Sequence, residues 1–446
     1  MVEREPNPRL RDAIAATGWT YEALARMVQR VAAENGEVLR TNKSAVAHWV
    51  EGARPSGRSG RYVAEALSRR AGRAVSMAEI GLDPGELVAV VEDPVTAVIE
   101  LGRADVDRRL LLTASTFTVA GVAMPLTYDH EAVSRVLRAR TGLGFVGDRD
   151  IDAVGEITAA FTAADECLGG GHGLTTVTAY LADTAAPMLR ARFSSEGLRR
   201  RAFGAVADLA DLAAWKHHDL GQEGAAQRFY QVSYQLACES DPYGHAAWIM
   251  RYLAHQALDL QQPRHCVALT EAALQRVVGR VDGVTEALFH TTHARACAAV
   301  GERAVSARAL LSAEDALTRI DEPRPFYSAI SGTENVANNT AKTLTVLADH
   351  AGAERQHRTA LTQGDPERNR RTHSLTYANL GNSLAAQARL EEAIGAWAQA
   401  VELTEGVASD RTRTAMVSIR STLATWRRRG VPGAADLDRR LYEASR

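Results

Sequence analysis

Residues 374–403 read SLTYANLGNSLAAQARLEEAIGAWAQAVEL, and their spacing decides the fold. Tyr377, Leu380, Gly381 and Leu384 recur at three- and four-residue steps, as do Ala393, Trp397 and Ala400, so the stretch forms two helices with an apolar face each. A small residue stands where the paired helices touch and a large one where they meet the next unit. Weaker copies put the close-contact position at Ala225, His265, Ala304 and Ala353, followed four residues on by Phe229, Leu269, Arg308 and His357. Such a pair buries its face only by stacking on its neighbours. The expectation is an all-α chain whose C-terminal part is a solenoid, a right-handed superhelix with an open concave face. Residues 417–444 would supply its capping pair.

The composition agrees. Of 446 residues 46% are hydrophobic and only 6% aromatic, which suits helices with small interlocking side chains better than a β-sandwich. At this length two to four domains are expected. We read residues 1–82 as a first domain, 83–205 as helical connecting structure and 206–446 as the repeat array. Four cysteines without C-x-x-C spacing indicate neither a zinc module nor a disulfide framework, and point to a reducing cytoplasm. Residues 1–13, MVEREPNPRLRDA, have no apolar h-region, so they are not expected to act as an export signal. The run after Arg108-Arg109, LLLTASTFTVAGVAMPL, is too short and too rich in hydroxyls for a membrane span, and is expected to be a buried core helix.

The first domain is organised around residues 41–55, TNKSAVAHWVEGARP. Val46, Trp49 and Val50 fall on one face of a short helix, and Lys43, Ser44, Ala47 and His48 on the other. Asn42 is its candidate N-cap, and Gly52 with Pro55 its stop. Between Arg40 and Arg73 the chain carries eight bases against two acids, Glu51 and Glu65, within a protein of net charge −2. One face anchors the helix while the other, flanked by Arg54, Arg58 and Arg61, offers donors and positive charge, as a helix in a DNA major groove requires.

Residues 10–36 together with 41–55 resemble a phage-repressor-type (XRE) helix-turn-helix, in the elongated form of actinobacterial regulators that couple it to tetratricopeptide (TPR) repeats. Residues 374–403 resemble a TPR unit. The resemblance implies that Thr20 and Tyr21, at the start of the first motif helix, and Asn42, Lys43, Ser44, Ala47 and His48, on the second, face double-stranded DNA. It also implies a homodimer. The segment from Arg30 to Arg40 is longer than the compact motif's turn.

An array of this kind binds peptides or other ligands in its inner groove. Trp215 and Tyr252 are candidate stacking surfaces, and Asn335, Asn338, Asn339 and Asn379 candidate hydrogen-bonding groups for a peptide or small-molecule effector. GGGHG, residues 169–173, lacks the lysine and preceding strand of a phosphate cradle and reads as a hinge or helix break. His290 and His293 lack a third metal ligand. With no nucleophile or paired-carboxylate signature, neither an enzyme, a cofactor nor a metal is expected. Two functions follow: a DNA-binding transcriptional regulator with a sensing array, or an interaction scaffold whose N-terminal helices hold a protein partner.

Overall fold

The structure, a computed structural model, describes residues 6–34, 37–56, 59–71, 75, 77, 79–82, 93–106, 117, 122, 124–127, 144–319, 332–363 and 365–444. It is all-α and solenoid-like, with one two-residue parallel bridge, Phe145–Val146 to Arg192–Phe193.

Helices α1 (Pro8–Ala16), α2 (Tyr21–Glu34), α3 (Lys43–Val50) and α4 (Ser59–Ala71) enclose one core. It contains Leu10, Ile14, Leu24, Val28, Val46, Trp49, Tyr62, Leu67 and Ile80. Local chemistry sets each boundary. Asn7 caps α1 by accepting from Leu10 N, and Gly18 at φ +68° follows its end. The Asn7 amide also donates to Ile80 O at 2.9 Å, tying the first helix to the last turn of the bundle. The long connection between α2 and α3 is pinned by Gln29, whose Nε2 donates to Thr41 O at 2.6 Å.

Beyond the bundle run α5 (Pro94–Val106), α6 (Asp148–Leu168) and α7 (Leu174–Tyr180), followed by six helical pairs. These are α8 (Glu196–Asp219) with α9 (Glu223–Ser240), α10 (Gly244–Asp259) with α11 (Cys266–Val277), and α12 (Gly283–Ala299) with α13 (Arg303–Leu317). Then come α14 (Thr333–Val346) with α15 (His350–Gln363), α16 (Arg370–Ala386) with α17 (Leu390–Glu402), and α18 (Asp410–Arg428) with α19 (Ala434–Ala444). The boundary expected at residue 205 lies inside α8, and a single apolar core extends across it from Val95 to Val336. A second array core joins α16 to α19 around Trp397 and Trp426. Most of the expected core helix at 110–126 lies outside the described residues, but Phe117 and Val122 are buried.

All six pairs turn in the same way. Gly221, Gln261, Gly301, Ala348, Ala388 and Gly430 each take a left-handed φ between +57° and +88°. The next residue's N–H then reaches back five residues: Gln222 to His217, Gln262 to Ala257, Glu302 to Cys297, Asp349 to Leu344, Arg389 to Leu384 and Val431 to Trp426. This closure satisfies the last carbonyls of the first helix and reverses the chain. The turns are 40, 40, 47, 40 and 42 residues apart, and they give the true register of the repeat.

Five residues after the turn stand Ala226, Ser306, Ala353 and Ala393, all with no exposed surface. Three copies expected from the sequence are therefore corrected, the first by one residue, from Ala225 to Ala226. Ala304 and Arg308 are exposed, and His265 precedes α11. The long third interval and the extended turn at residues 261–265 displace a count made by fixed spacing. The reading of residues 374–403 fits the packing: a Cβ on Gly381 would lie 2.3 Å from the Trp397 indole, so only glycine admits that ring.

The concave face is not open at both ends. Helix α6 packs on α8 and on α16, bringing the first pair back to the fifth and sixth. Ala408 N donates to Leu168 O at 2.8 Å and Gly171 N to Ala408 O at 3.0 Å. GGGHG breaks the helical run between α6 and α7 and lies in this closure. A Cβ on Gly169 would be 2.7 Å from Ala408 O, and one on Gly170 2.7 Å from Lys216 O. The glycines are there because two backbones pass too close for a side chain.

Candidate functional site

Two surfaces carry the candidate residues. On α3, Val46 and Trp49 are buried while Asn42, Lys43, Ser44 and His48 are exposed and Ala47 is half-buried. Asn42 Oδ1 accepts from Ala45 N at 2.9 Å, so its acceptor is committed to the cap and only its amide donors remain for another partner. Thr20 is likewise a cap, accepting from Ala23 N at 3.2 Å, and Tyr21 packs half-buried against the bundle core. Arg40, Arg54 and Arg61 are exposed on the same bundle; Arg58 lies outside the described residues. Glu65, one of the two acids of this segment, is buried against Arg69 at 2.7 Å, which leaves Glu51 as its exposed acid.

The second surface is the inner face of the array, lined by the first helix of each pair as expected. Trp215 of α8 lies 6.0 Å from Tyr252 of α10, centroid to centroid. The structure thus brings the two predicted aromatics together. Around Trp215 stand His218, His255, and the guanidinium groups of Arg371 and Arg411, 5.3 and 5.2 Å from its ring centre. Arg371 belongs to the fifth pair and Arg411 to the sixth, so the closed superhelix places both of its ends at one tryptophan. Sequence spacing carried no signal for that meeting.

The asparagines are less uniform. Asn338 Oδ1 accepts from Thr376 Oγ1 at 3.1 Å, bridging α14 and α16. Asn339 is buried; its amide donates to Asn335 O at 2.8 Å, one turn earlier in its own helix, and its Oδ1 is buried without a hydrogen bond. Asn335 and Asn379 are half-buried. The shared face of Asn335 and Asn338 continues one turn on to Lys342, which sequence reasoning passed over.

Beneath the groove lies a buried ion network. Asp165 of α6 accepts from Lys216 Nζ at 3.1 Å and from Arg371 Nη1 at 2.6 Å. Arg371 also meets Glu166 at 3.2 Å and Asp219 at 3.6 Å. Asp219 in turn accepts from Gly170 N and from Ser409 Oγ, each at 2.9 Å. Burial opposes the charge of Arg371, but Asp165, Glu166 and Asp219 outweigh it and raise its pKa further. Removed from water, such charges persist only because each has partners.

His218, His255 and Asp259 bring three ligand-type atoms within 4.8 Å of one another, the geometry nearest to a metal site among the described residues. The surrounding charge disfavours a cation. Arg295 Nη2 holds Asp259 Oδ1 at 2.6 Å and Arg411 Nη2 lies 3.3 Å from Oδ2. Burial opposes protonation of His218, yet Glu223 and Asp259 outweigh it and push its pKa up to about 9, so at neutral pH the proton occupies the place of a metal. The pair His290 and His293 is different again: His293 bonds Thr270 and Cys297, and burial lowers the pKa of both histidines.

Among the described residues no helix is long and apolar enough to cross a membrane. Among curated proteins nothing matches this chain. A family model, the SP15 N-terminal domain, matches residues 10–83, a span that coincides with the α1–α4 core.

Proposed function

We propose that this chain is a DNA-binding transcriptional regulator, in which α3 enters the major groove and the array senses an effector or partner and holds two chains together. The observation that carries the reading is the division of α3. Its apolar side is spent on Val46 and Trp49, while Lys43, Ser44 and His48 stand exposed beside Arg54 and Arg61. Arginine and lysine donors near a helix N-terminus suit base edges and phosphates, and a basic flank supplies salt-sensitive affinity. The TPR-like array adds a concave surface whose shape a ligand can bias, provided it binds one shape better than the other.

The test is to sequence the DNA fragments retained by the purified full chain, then to compare wild type with Lys43→Ala/His48→Ala on the enriched sequence. Loss of sequence preference with an unchanged melting temperature supports the reading. Retention indifferent to salt and to both substitutions would count against it and favour a protein partner for the bundle.

A further inference from the structure

Two arginines converge on one carboxylate at the inner face of the array, and two further cations stand near them. Arg295 of α12 and Arg411 of α18 both hold Asp259. Arg251 of α10 lies over Trp248 and Tyr252 and makes no ion pair among the described residues. Lys342 of α14 makes neither a hydrogen bond nor an ion pair among them. The Lys342 ammonium is lowered to about 7, first by burial and then by Arg295, Arg411 and Arg251, with Asp259 alone opposing. Asp211 cannot balance this charge, because burial and Asp208 push its carboxyl well up.

Donors are left over in the same place. Arg295 Nη1 is buried without a hydrogen bond and Lys342 has none among the described residues, while His218 Nε2 and His255 Nδ1 both turn to Asp259 Oδ2, each 3.5 Å away. A buried donor is costly to leave unpaired, so this excess of donors calls for a further acceptor. The patch is reachable, since Lys342 and Trp215 are half-buried and Arg411 keeps 21% of its side-chain surface.

We infer that this patch is an effector site for a small anion, a molecule bearing a carboxylate or phosphate group received by Lys342, Arg295 and Arg411 beside Trp215. The anion supplies the missing acceptor, neutralises the excess charge and favours the protonated Lys342. Because these residues come from the first, third, fourth and sixth pairs, occupation joins distant parts of the superhelix. The inference rests on the reading of the array as a sensor.

The test is calorimetric titration of the phosphate-free full chain with benzoate and citrate in one arm, and phenyl phosphate and inorganic phosphate in the other, with benzyl alcohol as the uncharged control. Saturable binding in one arm, with affinity reduced about tenfold or more by Lys342→Met and restored by Lys342→Arg, is expected and identifies the anion's class. No saturable binding in either arm overturns the inference, as does equal binding by Lys342→Met. Cobalt(II) binding with a visible band abolished by His255→Ala would assign the cluster to a cation and overturn it as well. DNA retention by the same preparation separates the two readings. Retention without anion binding removes only this site, and anion binding without retention leaves the site standing and removes the regulator.

Discussion

Asp165 and Arg371 are 206 residues apart in the chain and 2.6 Å apart in space. One lies near the end of the helix that precedes the repeats, the other at the start of the fifth pair, and their ion pair is buried with Lys216 and Asp219. Removing the Asp165 charge therefore takes from Lys216 its carboxylate and from Arg371 one of three.

Asp165→Asn is expected to destabilise the chain by about 3–5 kcal/mol, the cost of an uncompensated buried charge. Chemical denaturation measures it. A change below about 1 kcal/mol, the range of exposed pairs, would show that the network is wet and dispensable.

Gly381→Ala should destabilise by about 1–3 kcal/mol, because the added methyl overlaps the buried Trp397 ring, which is held by bonds to Ala378 O and Asn382 Oδ1. The Trp397 emission maximum should shift in the same variant. Unchanged melting and emission would refute the close contact.

Ala348→Gly and Ala388→Gly should each stabilise by up to about 1 kcal/mol, since alanine at φ +63° or +61° bears left-handed strain that glycine escapes. Both positions are exposed, so no packing is lost. Gly301→Ala, at φ +88°, should shift the melting temperature in the opposite direction.

Trp49→Ala should unfold the N-terminal bundle, at about 3–5 kcal/mol, whereas Lys43→Ala should leave its melting unchanged. Limited proteolysis of the full chain reads the difference. Equal resistance of the two variants would mean that α3 faces the other way.

His357 gives a pH dependence. Burial, and then the charge of Lys342, lowers its pKa from 6.5 to about 4. The native state excludes a proton that the unfolded chain accepts, so stability falls as pH drops below about 6.5 and levels off near 4, by roughly 3 kcal/mol in all. Buried His255 and His373 and half-buried His290 and His293 add to the same slope. His357→Leu should flatten its share of the acid limb; an identical pH profile would mean that this imidazole is solvated.

Periodicity made the helices legible, because an apolar face is a local property of sequence. The bundle, its caps at Asn42 and Thr20, the buried Trp49 and the pair around Gly381 and Trp397 all follow from spacings of three or four residues. The turns were harder to read. Only Gly221, Gly301 and Gly430 advertise a left-handed residue, while Gln261, Ala348 and Ala388 adopt it because the packed helices on either side demand it. Hidden altogether was the inner face. Trp215 and Tyr252 could be nominated, but Lys342, Arg371 and Arg411 join them only through the pitch of the stack, which no residue encodes alone. GGGHG was visible, and its meaning depended on a backbone nearly 240 residues downstream.

A linear stack of helical pairs melts from its ends, each terminal unit having a neighbour on one side only. Here the last pair is fastened to the first by Ser409 on Asp219 and by the strand-like exchange of Ala408 with Leu168 and Gly171. Neither extremity is free to fray, and the array gains the cooperativity of a ring. Its pairs cannot be added or deleted singly, as they can in an unfastened solenoid, because a change of one unit would carry residues 408–411 past the partners that receive them.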